Sequence, residues 1–493
     1  MRKTNYQSYW KGTSTKLNDK TVEILDYKPS DFLYGRKGPW PQPSPDHPFG
    51  ESPAVLKIPL REVLDWWLLV GLRYVFTLFR IPFVFIFNLL SRGAVSSSDE
   101  EFNDYLTNTM MSKFLSKEFD ETDIEQFKDH LSPDKEYLIT DLSPVKVVDT
   151  FDGIFASPTK TLLECVDQKY IVRCIYVDDS KELFTPQDGE GWELAKFFVL
   201  QGAALCSTLV EHPNLHFPLD SINAISKTAL PKQHVLFKLL YPHLRFTLQL
   251  ENAVLTYKTS LLQSKWWMPY APYPGSYDGL RELLVCGYKG MSGNDSYKGY
   301  SYHRRPRKIY SNYGTYLDIY YEVIHKFVAE VLKNIEEGDR AVEAWANYIA
   351  PLVSGFPCGD EIFEEGILVD TVAYFIWDVT VAHSLDHYNY GNMDINKVPL
   401  RLRHCAPTKG LQTFCRKKLV TPVDQTKYRM AQLLFFQPTN VTCLYDTNYN
   451  FNDERLNDCN ERFLENLKLT EKSIQDKGVS FMPLSEIARS IQY

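Results

Sequence analysis

The feature that most constrains this chain is a long apolar segment that ends in two histidines. Residues 191–216 run GWELAKFFVLQGAALCSTLVEHPNLH, and the apolar side chains leave almost no polar face. A helix that is apolar all round is either buried or crosses a membrane. Because Lys196, Gln201 and Ser207 interrupt the segment, we predict the central helix of a large soluble domain, not a membrane span.

A second segment repeats this arrangement. Residues 367–387 run ILVDTVAYFIWDVTVAHSLDH and end in His383 and His387, as the first segment ends in His212 and His216. With eleven histidines in the chain, roughly 0.2 pairs at this spacing are expected by chance. Side chains four residues apart share one helical face. The two pairs therefore predict one buried metal site, since imidazole is a frequent metal ligand.

The sequence around the histidines narrows the class of metal site. Pro213 follows His212 and Ser384 follows His383, so the HExxH pattern of zinc proteases is excluded. The ExxH pairs of di-iron helix bundles are also missing at both positions. Four neutral imidazoles with an open position suit iron or manganese better than magnesium or calcium. We expect one such ion per chain.

Composition excludes several other classes of protein. The chain is 44% hydrophobic and 14% aromatic, enough for a sizeable core. Its net charge of −8 is dispersed, which argues against a nucleic-acid binder. Nine scattered cysteines without a CxxC pair suit a reducing compartment. No apolar leader is visible at the N-terminus, so we expect a cytoplasmic location, with membrane association as the alternative. A monomer is also expected.

The pattern along the chain predicts a mainly α fold. Residues 1–61 are polar and proline-rich, which is typical of an extended arm on the domain surface. Residues 62–493 are expected to form a single catalytic domain. Within them, strand patterns occur only in residues 136–176, which predicts a small β-sheet on the flank. Further helices are predicted at 234–257, 316–335 and 455–475, with an irregular stretch that contains short helices at 392–450.

Residues 62–91 are unusually apolar and allow two interpretations. Arg73 and Arg80 stand near the middle of this run and Pro82 breaks it, so a membrane span would cost several kcal/mol. One interpretation is a bent helical pair that covers the core. The other is a hydrophobic lid or a peripheral membrane anchor with its arginines toward lipid head groups.

A basic, aromatic tract, YKGYSYHRRPRKIY, occupies residues 297–310. Such a tract is usually a solvated loop. The alternative is that its cations meet a carboxylate at the mouth of a pocket.

Several motifs together resemble those of the lipoxygenases, over about residues 180–493. Trp192, Ala195 and Lys196 precede His212 at the distance found in that family. The segment HVLFKLLYPHLRFTL is similar to the family's HPIYKLLxPHxRxT. VAHSLDHYNYGN looks like the family's second histidine helix, and the final IARSIQY resembles its IPNSISI ending.

The resemblance implies a lipoxygenase-like helical domain around two central buried helices. It also implies a fifth metal ligand, the terminal α-carboxylate of Tyr493, with iron as the metal and manganese as the alternative. The chain end must then thread inward, with Ile487 and Ile491 inside and Arg489 outside. Counting twenty residues from His234, as the family's pattern directs, places Val254 at the O₂-facing side of a substrate channel.

The activity that the resemblance implies is dioxygenation of a polyunsaturated fatty acid. By this resemblance, the four histidines and Tyr493 would hold a metal-bound hydroxide that would take a hydrogen atom from a bis-allylic methylene. The resulting radical would add O₂, and the peroxyl radical would then be reduced to the hydroperoxide. Fatty acid and O₂ are the expected partners.

This chain also departs from the family pattern. The first histidine pair is HxxxH, and Pro213 inside it predicts a local distortion. Tyr390 replaces the usual glutamine after the second pair, and no N-terminal β-barrel domain is expected. Two alternatives therefore remain open. One is a lipoxygenase-fold enzyme repurposed to isomerise hydroperoxides or to oxidise a different substrate. The other is a non-catalytic protein that holds a metal or binds lipid.

Overall fold

The computed structural model describes residues 33–34, 55–57, 59–90, 95–167, 169–216, 219–245, 247, 272–294, 297–435 and 442–491. Val254, Tyr493 and most of the predicted arm 1–61 lie outside these residues, so the division of the chain at residue 61 stays a prediction. The α-helices of the described ranges are α1 Leu60–Leu90, α2 Asp99–Asn108, α3 Glu121–Phe127, α4 Glu190–Cys206, α5 Leu219–Ala229, α6 Val235–Leu240, α7 Tyr277–Lys289, α8 Asn312–Leu332, α9 Arg340–Ile349, α10 Ile367–Trp377, α11 His383–Asn392, α12 Pro422–Phe435 and α13 Glu454–Asp476.

The predicted small sheet is present on the flank of the helical body. The two-stranded ladder of β1 (Leu33–Tyr34) and β2 (Val55–Lys57) is separate from it. The main sheet is antiparallel throughout and its strands follow chain order. Its strands are β3 Leu115–Ser116, β4 Tyr137–Asp141, β5 Thr159–Val166, β6 Lys169–Val177 and β7 Glu182–Phe184.

Helix α4 lies at the centre of the molecule, as predicted. Every residue from Trp192 to Cys206 is buried except Glu193. The polar residues on this helix find partners inside the protein. The ammonium of Lys196 lies 2.6 Å from Asp99 Oδ1 and 2.9 Å from the carbonyl of Ser97, and the indole of Trp192 donates to the same Asp99 oxygen at 2.8 Å. The residues of the Trp-Ala-Lys motif therefore fix α4 to the start of α2.

The burial of α4 also explains its hydropathy. Among the described residues, the helical run Glu190–Ala229 is the one long and apolar enough to cross a membrane, yet 94% of its most apolar window is buried in the protein. The amide nitrogen of Gln201, inside this helix, donates to the carbonyls of Phe155 and Leu400. The second predicted helix, α10 and α11, packs beside α8, and residues 371–387 of this segment are buried.

Residues 60–90 form one continuous helix, so the predicted bent helical pair is not observed. Its buried Val84 packs on Met430 and Leu433 of α12. The opposite face of the helix is exposed and apolar. Monomeric soluble proteins rarely expose apolar patches of large area. Its exposed residues, spaced along one side of the helix, are Phe79, Phe83, Ile86, Phe87 and Leu90.

Other helices agree with the sequence patterns in part. The helix predicted at 316–335 is α8, and the one predicted at 455–475 is α13. The helix predicted at 234–257 is interrupted, because α6 passes into a 3₁₀ turn, Tyr241–Leu244, and Arg245 is extended. The stretch 392–450 was expected to be irregular with short helices, and its described residues include one longer helix, α12, of 14 residues.

Candidate metal centre

The structure brings the four predicted histidines together. One ligand atom from each of His212, His216, His383 and His387 lies within 4.8 Å of the others. The Nε2 atom of His212 is 3.1 Å from Nε2 of His216 and 3.2 Å from Nε2 of His387. The ring of His383 completes the group, with its centroid 4.3 Å from that of His387.

Each central helix changes its winding just before its first histidine. Helix α4 continues as a π-helical segment, Ser207–Glu211, and α10 continues as a second one, Asp378–Ala382. At both places a threonine hydroxyl donates a hydrogen bond to the carbonyl four residues earlier. Thr208 donates to Ala204 and Thr380 donates to Ile376, each at 2.5 Å. Such bonds to the preceding turn bend helices, and π segments occur frequently at functional sites.

The two histidine pairs differ in the backbone that carries them. His383 and His387 lie on a regular α-helix, α11, so their spacing puts them on one face. His212 begins a 3₁₀ turn, His212–Leu215, whose second residue is Pro213. The distortion predicted from this proline is therefore present. Helix α7 packs closely on the π segment before it, since a Cβ at Gly287 would lie 2.5 Å from the carbonyl oxygen of Val210.

The chemistry of the four rings fits a metal ion. Burial, followed by the neighbouring histidines, holds the pKa of His216 and of His383 well below the usual value of 6.5. These two rings are therefore neutral near pH 7, and each offers a lone pair. Two nitrogen ligands at right angles, each about 2.1 Å from a metal, would be about 3.0 Å apart, close to the separations of the Nε2 atoms here. His212, His216, His383 and His387 are thus the residues that would hold the ion.

A carboxylate that sequence reasoning missed orients one of the rings. Oδ2 of Asp386 lies 3.2 Å from Nδ1 of His212, so a proton on Nδ1 would be donated to the carboxylate and Nε2 would keep its lone pair. The ammonium of Lys113 binds both oxygens of Asp386, at 2.6 and 2.7 Å. The phenol of Tyr313 donates to Oδ1 at 2.6 Å. The carboxylate of Asp386 therefore has three partners, which are His212, Lys113 and Tyr313.

The same contacts keep the carboxyl group of Asp386 ionised. The side chain is 3% exposed, and burial alone would raise its pKa, but Lys113 and His212 together hold that pKa below its usual value. A buried anion that accepts from a metal-binding histidine fixes the ring's tautomer and orientation. The available sequence signal was the position of Asp386, inside the second HxxxH motif. Lys113 and Tyr313 carry no such signal.

The other residues singled out in the sequence have different positions. Tyr390 is buried beside Tyr428, with ring centroids 5.7 Å apart, and Gln432 donates to its backbone carbonyl. Trp192, Ala195 and Lys196 belong to the core around α4. Val254 and Tyr493 lie outside the described residues, so their assignments stay predictions.

The described end of the chain runs inward, as predicted, toward the second histidine helix. The amide of Ala488 donates to the hydroxyl of Ser384, the residue after His383. Ile487 and Ile491 are fully buried. The expectation that Arg489 stays outside is wrong, since it is 1% exposed. The backbone of Arg489 is held by two other segments, because its amide donates to the carbonyl of Thr442 and its carbonyl lies 2.5 Å from Nδ1 of His243.

Comparisons with known proteins give matches by structure alone. No protein-family profile matches the sequence, and no curated protein matches it. The delta413-417:GS LOX in complex with arachidonate superposes with a TM-score of 0.72 at 13% identity, covering 97% of this chain and 80% of that one. The manganese lipoxygenase of Gaeumannomyces graminis gives a TM-score of 0.69 at 14% identity, covering 94% and 96%.

A third similar structure is a coral 8R-lipoxygenase, with a TM-score of 0.63 at 14% identity, covering 93% of this chain and 78% of that one. Matches of this extent at such low identity establish architecture without fixing activity. The large helical domain, the flanking sheet and the two buried central helices therefore identify the fold of this chain as that of the lipoxygenases.

Proposed function

We propose that this protein is a non-haem metal dioxygenase that inserts O₂ into a polyunsaturated fatty acid to give a hydroperoxide. The observation that carries the proposal is the convergence of two histidine pairs at the ends of the central helices of a lipoxygenase fold. Neutral, buried nitrogen ligands suit iron or manganese, and the neighbours include a manganese enzyme. We propose one ion per chain, in a monomer.

The metal, when bound, would supply the one-electron redox chemistry that removal of a bis-allylic hydrogen atom requires. The residues of this chain have physical tasks. Asp386 holds the tautomer of His212, and Lys113 and Tyr313 hold Asp386. The side chains of Lys113 and Asp386 are only 7% and 3% exposed, and this burial strengthens their contact. In this proposal the α-carboxylate of Tyr493 adds a negative charge beside the four imidazole ligands.

The fatty-acid substrate is supported by one neighbour that was solved with arachidonate. Val254 is proposed to face O₂ in the substrate channel. The exposed apolar face of α1 supports a peripheral membrane contact through residues 62–91, where the substrate's source would be a lipid surface. A cytoplasmic location, with this membrane association, completes the proposal.

The second candidate is a lipoxygenase-fold enzyme repurposed for hydroperoxide isomerisation or for oxidation of a different substrate. Tyr390 in place of the family's glutamine favours it, because a residue after the second histidine pair changes the surroundings of the ligands. Under this alternative the metal site is the same, whereas the product differs.

The test combines metal analysis with an oxygenation assay. Purified protein should contain one equivalent of iron or manganese and should produce conjugated-diene absorbance from linoleate in air. His383→Ala should lose most of both. His130→Ala is the matched control, because His130 lies on a 3₁₀ turn away from the four-histidine group, and it should keep both. Full metal content with no diene from linoleate would favour the second candidate.

A further inference from the structure

A cavity of about 750 Å³ lies beside the metal centre, and the four histidines do not line it. One part of its wall is aromatic, because Tyr300, Tyr374 and Trp377 line it. The rings of Tyr374 and Trp377 have their centroids 5.5 Å apart, and the ring of Tyr302 packs against that of Tyr374 at 5.2 Å. A cavity of this volume can enclose a small organic molecule.

Hydrogen bonds hold this aromatic wall in place. The phenol of Tyr302 donates to the carbonyl of Thr371 at 2.9 Å, and the indole of Trp377 donates to the carbonyl of Leu317 at 3.0 Å. Tyr302 belongs to the basic, aromatic tract 297–310, so this part of the tract is fixed and is not a solvated loop. A ligand would therefore meet a preformed surface.

A carboxyl group without a partner lies beneath the aromatic wall. Asp378 is 3% exposed, and its Oδ1 has no hydrogen-bond partner among the described residues. No lysine or arginine of those residues forms an ion pair with it. Residues four positions apart share a helical face, and both Tyr374 and Ala382, four positions to either side of Asp378, line the cavity. The carboxyl group of Asp378 is therefore directed toward the cavity.

The cations nearest to Asp378 are already bound to other carboxylates. The ammonium of Lys113 contacts both oxygens of Asp386, and Arg307 pairs with Glu211 at 2.8 Å. Burial raises the pKa of Asp378 well above its usual value, Asp386 raises it further, and Lys113 opposes both at longer range. A buried carboxyl group in this condition is stabilised as an anion when a further cation approaches it.

The remaining charges of the lining balance in number. Three lysines and three carboxylates line the rest of the cavity, namely Lys117, Lys298, Lys308, Glu118, Asp123 and Asp141. They give the cavity as a whole no preference for an anion or a cation. The preference is therefore set at the aromatic wall, by the rings and by Asp378.

Aromatic faces attract cations, and the attraction is strongest for indole and phenol rings that are shielded from water. We propose that the aromatic wall binds the alkylammonium group of an organic cation, with Tyr374 and Trp377 against the alkyl groups and Asp378 as the counter-charge. The inference goes beyond the proposed function, because it involves neither the metal nor a fatty acid.

The test measures binding of choline to the whole protein by calorimetry. Asp378→Asn keeps the size of the side chain but removes its charge, so choline should bind about tenfold more weakly, which corresponds to about 1.4 kcal/mol. The matched control is Asp458→Asn, the same change at an exposed carboxylate of α13, which should keep the wild-type Kd. Wild-type affinity in Asp378→Asn, or no binding of choline to the wild type, would overturn the proposal.

A neutral probe separates charge from shape. Dimethylbutanol, the carbon analogue of choline, has the same branched end without the positive charge. It should bind the wild type more weakly than choline does, and Asp378→Asn should leave its affinity unchanged. Equal affinities of choline and dimethylbutanol for the wild type would contradict the assignment of a cation site.

Two substitutions of Tyr374 test the aromatic contact. Tyr374→Phe keeps the ring face and should keep most of the choline affinity, whereas Tyr374→Leu removes the face and should weaken binding severalfold. An equal loss in both variants would assign the contact to the hydroxyl group and contradict the proposal. None of these measurements uses metal content or linoleate oxygenation, so the outcome is independent of the proposed function.

Discussion

Nδ1 of His212 lies 3.2 Å from Oδ2 of Asp386, so a residue of one central helix orients a histidine of the other. The same carboxylate is bound by Lys113 from a third segment. The two histidine pairs are therefore coupled through an anion as well as through any ion that they share. This coupling makes Asp386 the residue whose substitution is most informative.

Asp386→Asn should weaken metal binding about 10- to 100-fold, because His212 loses the anionic acceptor that fixes its tautomer. It should also lower the free energy of unfolding by about 3 kcal/mol, since the buried ammonium of Lys113 keeps its charge without a counter-ion. Metal affinity is measured by competition with a chelator, and stability by denaturant unfolding of the metal-free protein.

A double variant separates these two effects. Lys113→Met/Asp386→Leu removes both charges, and replacing a buried ion pair by apolar residues is often nearly neutral for stability. Most of the lost stability should return, whereas metal affinity should stay low because His212 still lacks its acceptor. Wild-type metal affinity in Asp386→Asn would show that the carboxylate has only a structural role.

The C-terminus gives a prediction that concerns the terminal carboxylate and not the tyrosine ring. Tyr493→Phe keeps the carboxylate and should retain metal and most activity. Three glycines added after Tyr493 would move the carboxylate away and should remove both, because an anionic ligand lowers the cost of burying the ion. Metal analysis of the two proteins checks this. Full metal content in the extended protein would contradict the proposed ligand.

The fold and the histidine group were predictable because their signals are local. An apolar surface on all sides marks a buried helix, and a spacing of four residues places His383 and His387 on one face. Each signal is contained within one segment, and the structure confirms the fold that they predict. The prediction for Pro213 succeeded for the same reason, since its effect acts on its own turn.

The remainder of the site depends on contacts between distant segments. Asp386 binds Lys113 across 273 residues of sequence and Tyr313 across 73, and no periodic pattern specifies such pairs. The burial of Arg489 was missed because a charged side chain usually lies at the surface. Its burial depends on segments that pack on both sides of the chain end, which sequence alone does not show.

The exposed face of α1 predicts binding to lipid vesicles. Phe83 is 72% exposed in the middle of this face, so Phe83→Glu should reduce co-flotation with anionic vesicles severalfold by placing a charge where the apolar face meets lipid. Leu469→Glu is the matched control, because Leu469 is 61% exposed on α13. Equal flotation of both variants and the wild type would contradict a membrane contact through α1.

The last prediction concerns acid stability and a histidine outside the metal centre. His243 is fully buried between the carbonyl of Arg489 and the phenol of Tyr449. Burial lowers its pKa to about 3, against the opposing hydrogen bond to the Arg489 carbonyl. In the unfolded chain its pKa is about 6.5, so the unfolded state binds one more proton than the folded state between these two values.

The stability that His243 contributes is therefore complete above about pH 6.5 and is lost as the pH falls toward 3. Its share of the slope is about 1.4 kcal/mol per pH unit in that window. His243→Gln removes the titration, so the free energy of unfolding of the metal-free protein should fall less steeply between pH 6 and about 4. The measurement is denaturant unfolding at several pH values, with His130→Gln as the control. A slope in His243→Gln as steep as in the wild type would show that other groups account for the acid sensitivity.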